Sequence, residues 1–158
     1  MPYDCLTRLP EPDLIDPRGV PLESSRLPMR PESAGAARRR VRETLQLFDA
    51  DPDAIENAVL LTSELVTNGL LHACGSGSAL HLSVIRDAER LIVEVYDPSR
   101  AIPASLGPRD TLSESGRGLC IVEEFAAANG IRLTEQNGKI VWFELVAWPR
   151  PPEPTLRQ

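Results

Sequence analysis

The sequence predicts an α+β fold in which helices lie over a sheet as a two-layer sandwich. Long segments with apolar residues at helical spacing alternate with short segments of period two, and Asn137-Gly138 marks a tight hairpin between the last two. At 158 residues the chain fits about one domain with a sizeable core.

Proline sets the expected limits. Seven of the fifteen prolines fall between Pro2 and Pro31 and four between Pro149 and Pro154. That density disfavours helices and central strands, so residues 1–24 and 149–158 read as extended or disordered tails around a folded unit of residues 25–148.

The first helix is expected over Glu32 to Phe48, where Ala36, Ala37, Val41, Leu45 and Phe48 share a face and Glu32 or Ser33 supports the start. Arg38, Arg39, Arg40 and Arg42 make it basic, which fits either a solvated face or a partner surface. A second helix runs from Asp53 to Cys74 and stops at Gly75-Ser76-Gly77-Ser78. Strands follow at Ala79 to Arg86 and Leu91 to Asp97, joined by a tight turn; alternation sets Asp97 on the inward face with Leu91, Val93 and Val95. Residues 98–115 read as a long functional loop, Gly116-Arg117-Gly118 as the opening of a third helix over Leu119 to Asn129, and Asn129-Gly130 as its stop. Strands at Ile131 to Glu135 and Lys139 to Val146 complete the sheet.

Composition narrows the function. A net charge of -6 and a pI near 5.0 argue against direct nucleic-acid binding. Cys5, Cys74 and Cys120 have neither disulfide-framework nor metal-ligand spacing, and Cys74 and Cys120 read as small apolar residues. No apolar run approaches the roughly 20 residues of a membrane span, and the first residues lack the layout of a signal peptide, so a cytoplasmic protein is expected. His72, Trp142 and Trp148 read as packing residues.

On the second helix, Glu64 and Asn68 lie in one arc with Leu60, Leu61 and Leu71, a side expected to be apolar. Burying such groups costs several kcal/mol, roughly, unless something binds them. Asn68 offers a neutral oxygen suited to Mg²⁺, Glu64 suits a general base, and Asp97 suits an acceptor for the exocyclic amine of adenine. Backbone N–H groups at the glycine-flanked helix start suit phosphate.

These residues also carry a family resemblance. Glu64-Leu65-Val66-Thr67-Asn68-Gly69-Leu70-Leu71-His72-Ala73 resembles the N-box, Asp97-Pro98-Ser99 a variant first glycine box, and Gly116-Arg117-Gly118-Leu119 the second glycine box. The superfamily is the ATPase fold shared by gyrase, heat-shock chaperones, histidine kinases and mismatch-repair proteins. Within it the chain is similar to the short anti-sigma factor serine/threonine kinases of actinomycetes. The resemblance covers about Ser25 to Val146 and implies a Bergerat-type sandwich with a mixed, mostly antiparallel sheet.

It also implies ATP with Mg²⁺, Glu64 as catalytic base, Asn68 as metal ligand and Asp97 as adenine anchor. Ala73, Ser99, Gly116, Arg117, Gly118 and Leu119 would complete the nucleotide contacts, beneath a lid at residues 98–115. The implied partners are a sigma factor and an antagonist protein, with a homodimer as the common state of such regulators. The pattern departs at Ser99, where glycine is usual, at Asn129, where Trp is usual, and at Ile140, where Thr supplies a hydroxyl expected to help Asp97 hold adenine. Those departures keep a second expectation open: a non-catalytic, nucleotide-gated or degenerate protein-binding module.

Overall fold

The computed structural model describes residues 19–72, 79–98, 126–135 and 138–150. Its elements are β1 (Val20–Pro28), α1 (Glu32–Leu47), α2 (Pro52–His72), β2 (Ala79–Asp87), β3 (Arg90–Asp97), β4 (Ala128–Leu133) and β5 (Lys139–Val146). The five strands form one open sheet in the order β1-β2-β3-β5-β4, and every pairing among them is antiparallel. The expected α+β architecture is present, without a parallel pair among the described strands.

The sheet begins earlier than the sequence suggested. Val20 to Ser24, placed in the tail by their prolines, belong to β1, which pairs along β2 from Val20↔Arg86 to Pro28↔Ala79. An edge strand tolerates proline because one side of its ladder needs no donor. The register shifts between Pro21 and Glu23, which accommodates the irregular start.

α1 starts at Glu32 as expected, but Ser33 does not cap it; its hydroxyl donates to the Pro28 carbonyl and ties the helix to the end of β1. The helix closes through Asp49, whose φ of 55° lies in the left-handed region, with the Ala50 N–H donating to Leu45. Asp51 then caps α2 by accepting from the Ala54 N–H at 3.1 Å, and Pro52 takes the first helical position, where a missing N–H costs nothing. The Asp51 N–H in turn donates to the Ala147 carbonyl at 2.8 Å. Trp148 completes this junction: its indole N–H donates to the Phe48 carbonyl at 2.9 Å, and the Arg86 guanidinium stacks 4.1 Å above the ring.

One apolar cluster joins the helices to a single face of the sheet. Ala37, Val41 and Leu45 of α1 and Ala58, Leu61, Leu65 and Val66 of α2 pack on Leu82, Val84, Leu91, Val93, Val95, Phe143 and Leu145. The second face also buries apolar residues, Ile85, Ile92 and Ile140, and carries the ion pairs Arg132–Glu94 and Arg90–Glu144. Three of the four arginines in the basic cluster are tethered within the chain, Arg38 to Ser63, Arg40 to Glu23 and Arg42 to Glu56.

The third helix is corrected at its end. Residues 119–125 lie outside the described residues, and Ala128–Leu133, including the expected helix stop, is a strand. Gly130 pairs with Trp142 inside that strand, and a Cβ there would stand 3.0 Å from the indole, so the glycine serves a close ring contact rather than a helix terminus.

Two outcomes test this reading. A chain starting at Ser25 should unfold at lower urea than one starting at Gly19, by about 2 kcal/mol, because it loses part of the β1 ladder. Burial, and then the charge of its cross-strand neighbour Arg26, hold the His81 imidazole below its ordinary value of 6.5. The unfolded chain therefore binds this proton more readily, and stability present above that value is lost as pH falls below it. Urea midpoints at pH 7.5 and 5.5 should differ more for the wild type than for His81→Asn.

Candidate functional site

α2 carries two faces. Its core arc is formed by Ala54, Ile55, Ala58, Leu61, Thr62, Leu65 and Val66. Glu64 and Asn68 stand roughly 130° and roughly 90° from the middle of that arc on the helical wheel, and both are half-buried. Leu60 and Leu71, which share their side, are 40% and 69% exposed. The expectation that this side would be apolar and packed holds at Leu61, which is fully buried, and fails at Leu60 and Leu71: the half-buried pair lies along the border of the core arc. Gly69, next to Asn68, brings α2 close to the sheet, since a Cβ there would meet the Leu80 side chain at 2.9 Å.

Asp97 behaves as the alternation predicts. It ends β3 on the helix-facing side, 1% exposed. Its cross-strand partner is Lys139, the first residue of β5, whose ammonium lies 3.5 Å from Asp97 Oδ2 with the lysine itself 2% exposed. Gly138 makes this corner possible. A Cβ there would fall 2.7 Å from the Asp97 carbonyl and 2.6 Å from the Tyr96 ring, so any side chain would push the end of β3 away. The hairpin is closed by the Thr134 N–H donating to the Gly138 carbonyl at 2.9 Å and by the Gly138 N–H donating to the Thr134 hydroxyl at 3.1 Å.

The role expected of position 140 moves. Val141, Phe143 and Leu145 oppose Val95, Val93 and Leu91 on the helix side, so strict alternation puts Lys139 on that side and Ile140, opposite Tyr96, on the other. A hydroxyl at 140 would not face Asp97. The residue that does is Lys139, which sequence reasoning passed over. Counting back by twos from Leu145 would have found it.

Glu64 and Asn68 are thus on one helix flank and Asp97 on the sheet face which that helix covers. Ala73, Ser99, Gly116, Arg117, Gly118 and Leu119 lie outside the described residues, as does most of the expected lid. Among the described residues no group of three or more His, Cys, Asp or Glu is placed to hold a metal ion, and no helix is long and apolar enough to cross a membrane.

Among the described residues an antiparallel sheet thus lies under two helices, with a buried carboxylate at a strand end and a Glu and Asn one turn apart on a covering helix. The profile of the histidine kinase-like ATPase domain matches residues 27–145, and the chain belongs to that family. No curated protein matches it in sequence. Among solved structures it is similar in fold to a chain in the crystal structure of the SiaB–SiaC complex from Pseudomonas aeruginosa. That similarity has a TM-score of 0.56 at 13% identity and covers 80% of this chain and 90% of the other.

A double-mutant cycle tests the buried pair. Asp97→Asn or Lys139→Met alone leaves a buried charge without this counter-charge and should cost about 3–5 kcal/mol in urea unfolding. The double variant should recover most of that loss.

Proposed function

We propose that this chain is an ATP-binding regulator of the anti-sigma factor type, which phosphorylates a serine or threonine of an antagonist protein and sequesters a sigma factor. One observation carries the reading: Asp97 is a carboxylate buried on the largely apolar face of the sheet that packs against the helices, one of which bears Glu64 and Asn68. A buried carboxylate accepts hydrogen bonds only, which matches the amine of adenine. The family itself supports a nucleotide ligand. The occurrence of a similar fold in a two-protein complex supports a protein partner, and a homodimer in the cytoplasm is the setting we assign.

The residues fit Mg²⁺ in a particular way. Mg²⁺ retains waters and takes most of its ligands from substrate phosphates, so one half-exposed carboxamide oxygen, at Asn68, is a sufficient protein contribution. When bound, the ion supplies charge neutralisation on the phosphates. Glu64, one turn away and reachable from solvent, receives the proton of the substrate hydroxyl as its oxygen bonds to the γ-phosphorus and the bond to ADP breaks. Ala73, Ser99 and the backbone of Gly116, Arg117, Gly118 and Leu119 complete the nucleotide site in this proposal.

A second reading, a non-catalytic, nucleotide-gated or degenerate binding module, is favoured by the ion pair that Lys139 already makes with Asp97. Calorimetry and phosphotransfer separate the two. The kinase reading expects ATP binding that Asp97→Asn weakens, and phosphorylation of a partner captured from the native cell that Glu64→Ala lowers by about 100-fold or more with little change in affinity. Nucleotide binding without phosphotransfer to any captured protein would favour the module.

A further inference from the structure

We propose that Arg26 and His81 form a binding site for a doubly charged tetrahedral oxyanion, of the phosphate or sulfate class, on the face of the sheet turned away from the helices. Asp97 and the helices α1 and α2 lie on the other side of the sheet, so the site stands apart from the nucleotide reading above.

Register brings the two residues together. Arg26 of β1 stands directly opposite His81 of β2, and His81 stands opposite Tyr96 of β3, whose ring centroid is 6.4 Å from that of the imidazole. Directly opposed residues have Cβ atoms about 5 Å apart, within reach of one small ligand. The two side chains differ in enclosure: Arg26 is exposed and His81 half-buried. The imidazole Nδ1 is enclosed and has no hydrogen-bond partner. Nε2 is therefore the nitrogen left to meet a ligand beside the guanidinium.

The charges around this row leave it short of an acid. Arg40, Arg42, Arg90, Arg132 and Arg150 each sit in an ion pair, whereas among the described residues no carboxylate lies within ion-pair distance of Arg26. Ser24 of β1 and Ser83 of β2, the next cross-strand pair on this face, carry no charge. On β3 the facing acid is Glu94, diagonal to His81, and Arg132 of β4 holds it at 3.2 Å. Burial, and then the charge of Arg26, keep His81 below its ordinary value of 6.5. An anion between the two side chains reverses the second effect, because it offsets the guanidinium and favours the imidazolium. Two adjacent cations then match a double negative charge, and the planar guanidinium can direct two N–H groups at one oxyanion.

Sulfate is the probe, since it stays doubly charged throughout the range in which histidine titrates. The imidazole C–H resonances of the full chain, with His81→Asn to assign the signal of His81, are followed against pH in about 50 mM sodium sulfate and in sodium chloride of equal ionic strength. The midpoint of His81 should stand about 0.5–1 pH unit higher in sulfate. By reciprocity, the dissociation constant of sulfate should fall about three- to tenfold from the basic to the acidic end of the titration. Arg26→Gln should raise the midpoint in chloride, because the neighbouring cation is gone, and should remove most of the difference between the two salts. At pH 7.5, inorganic phosphate is compared with a phosphoserine peptide: tighter binding of the peptide assigns the site to a phosphorylated side chain, and equal binding assigns it to the free ion. Equal midpoints for His81 in the two salts overturn the proposal in the wild type alone. So does a sulfate effect that survives Arg26→Gln at full size, which would put the ion elsewhere.

Discussion

The register between β3 and β5 is the constraint from which the site follows. Leu91 faces Leu145, Val93 faces Phe143 and Val95 faces Val141, and all six pack into the layer shared with the helices. Slipping this ladder by one residue would carry three apolar side chains to the opposite face of the sheet, so the pairing is strongly specified. Once it is fixed, Asp97 stands opposite Lys139. The buried ion pair is a product of core packing, and the chemistry at the strand ends inherits its precision from aliphatic contacts several residues away.

The helical layer is held to that sheet at both levels. Gly69 lets α2 approach Leu80, and the α1–α2 junction is fastened to the end of β5 through Asp51, Ala147 and Trp148. Glu64 and Asn68 therefore ride on a helix anchored at its start and in its last turn. Both are half-buried at the border of the core arc.

The sequence made most of the fold readable because its apolar periods are unambiguous where they are long. α1, α2, β2, β3 and β5 appear within two residues of the expected limits. β1 was hidden by Pro21 and Pro28, which signal a tail locally but are harmless on an edge strand, and that placement depends on β2, far along the chain. The start of β4 was hidden for a related reason: Asn129-Gly130 is a good helix stop in isolation, and only the pairing with Trp142 gives the glycine its actual use. At the site, the inward placement of Asp97 was legible from alternation along its own strand. Its partner was not, because the resemblance drew attention to position 140 while cross-strand register, a tertiary property, selects position 139. The flank position of Glu64 and Asn68 was misjudged because Leu60 and Leu71 counted as core residues, although helix α2 has enough apolar residues to leave two leucines outside.

The alternation at the head of β5 gives this corner an unusual route of variation. Lys139 and Ile140 are adjacent in sequence but lie on opposite faces of the sheet. One residue inserted between Ile140 and Val141, with the downstream ladder unchanged, would turn the isoleucine toward Asp97 and move the lysine out of the strand pair; a second insertion would return both residues to their original faces but leave Lys139 two positions past Asp97. The charge partner of the carboxylate is thus sensitive to chain length at this point, so that a lineage can lose it by a single codon insertion without altering either residue.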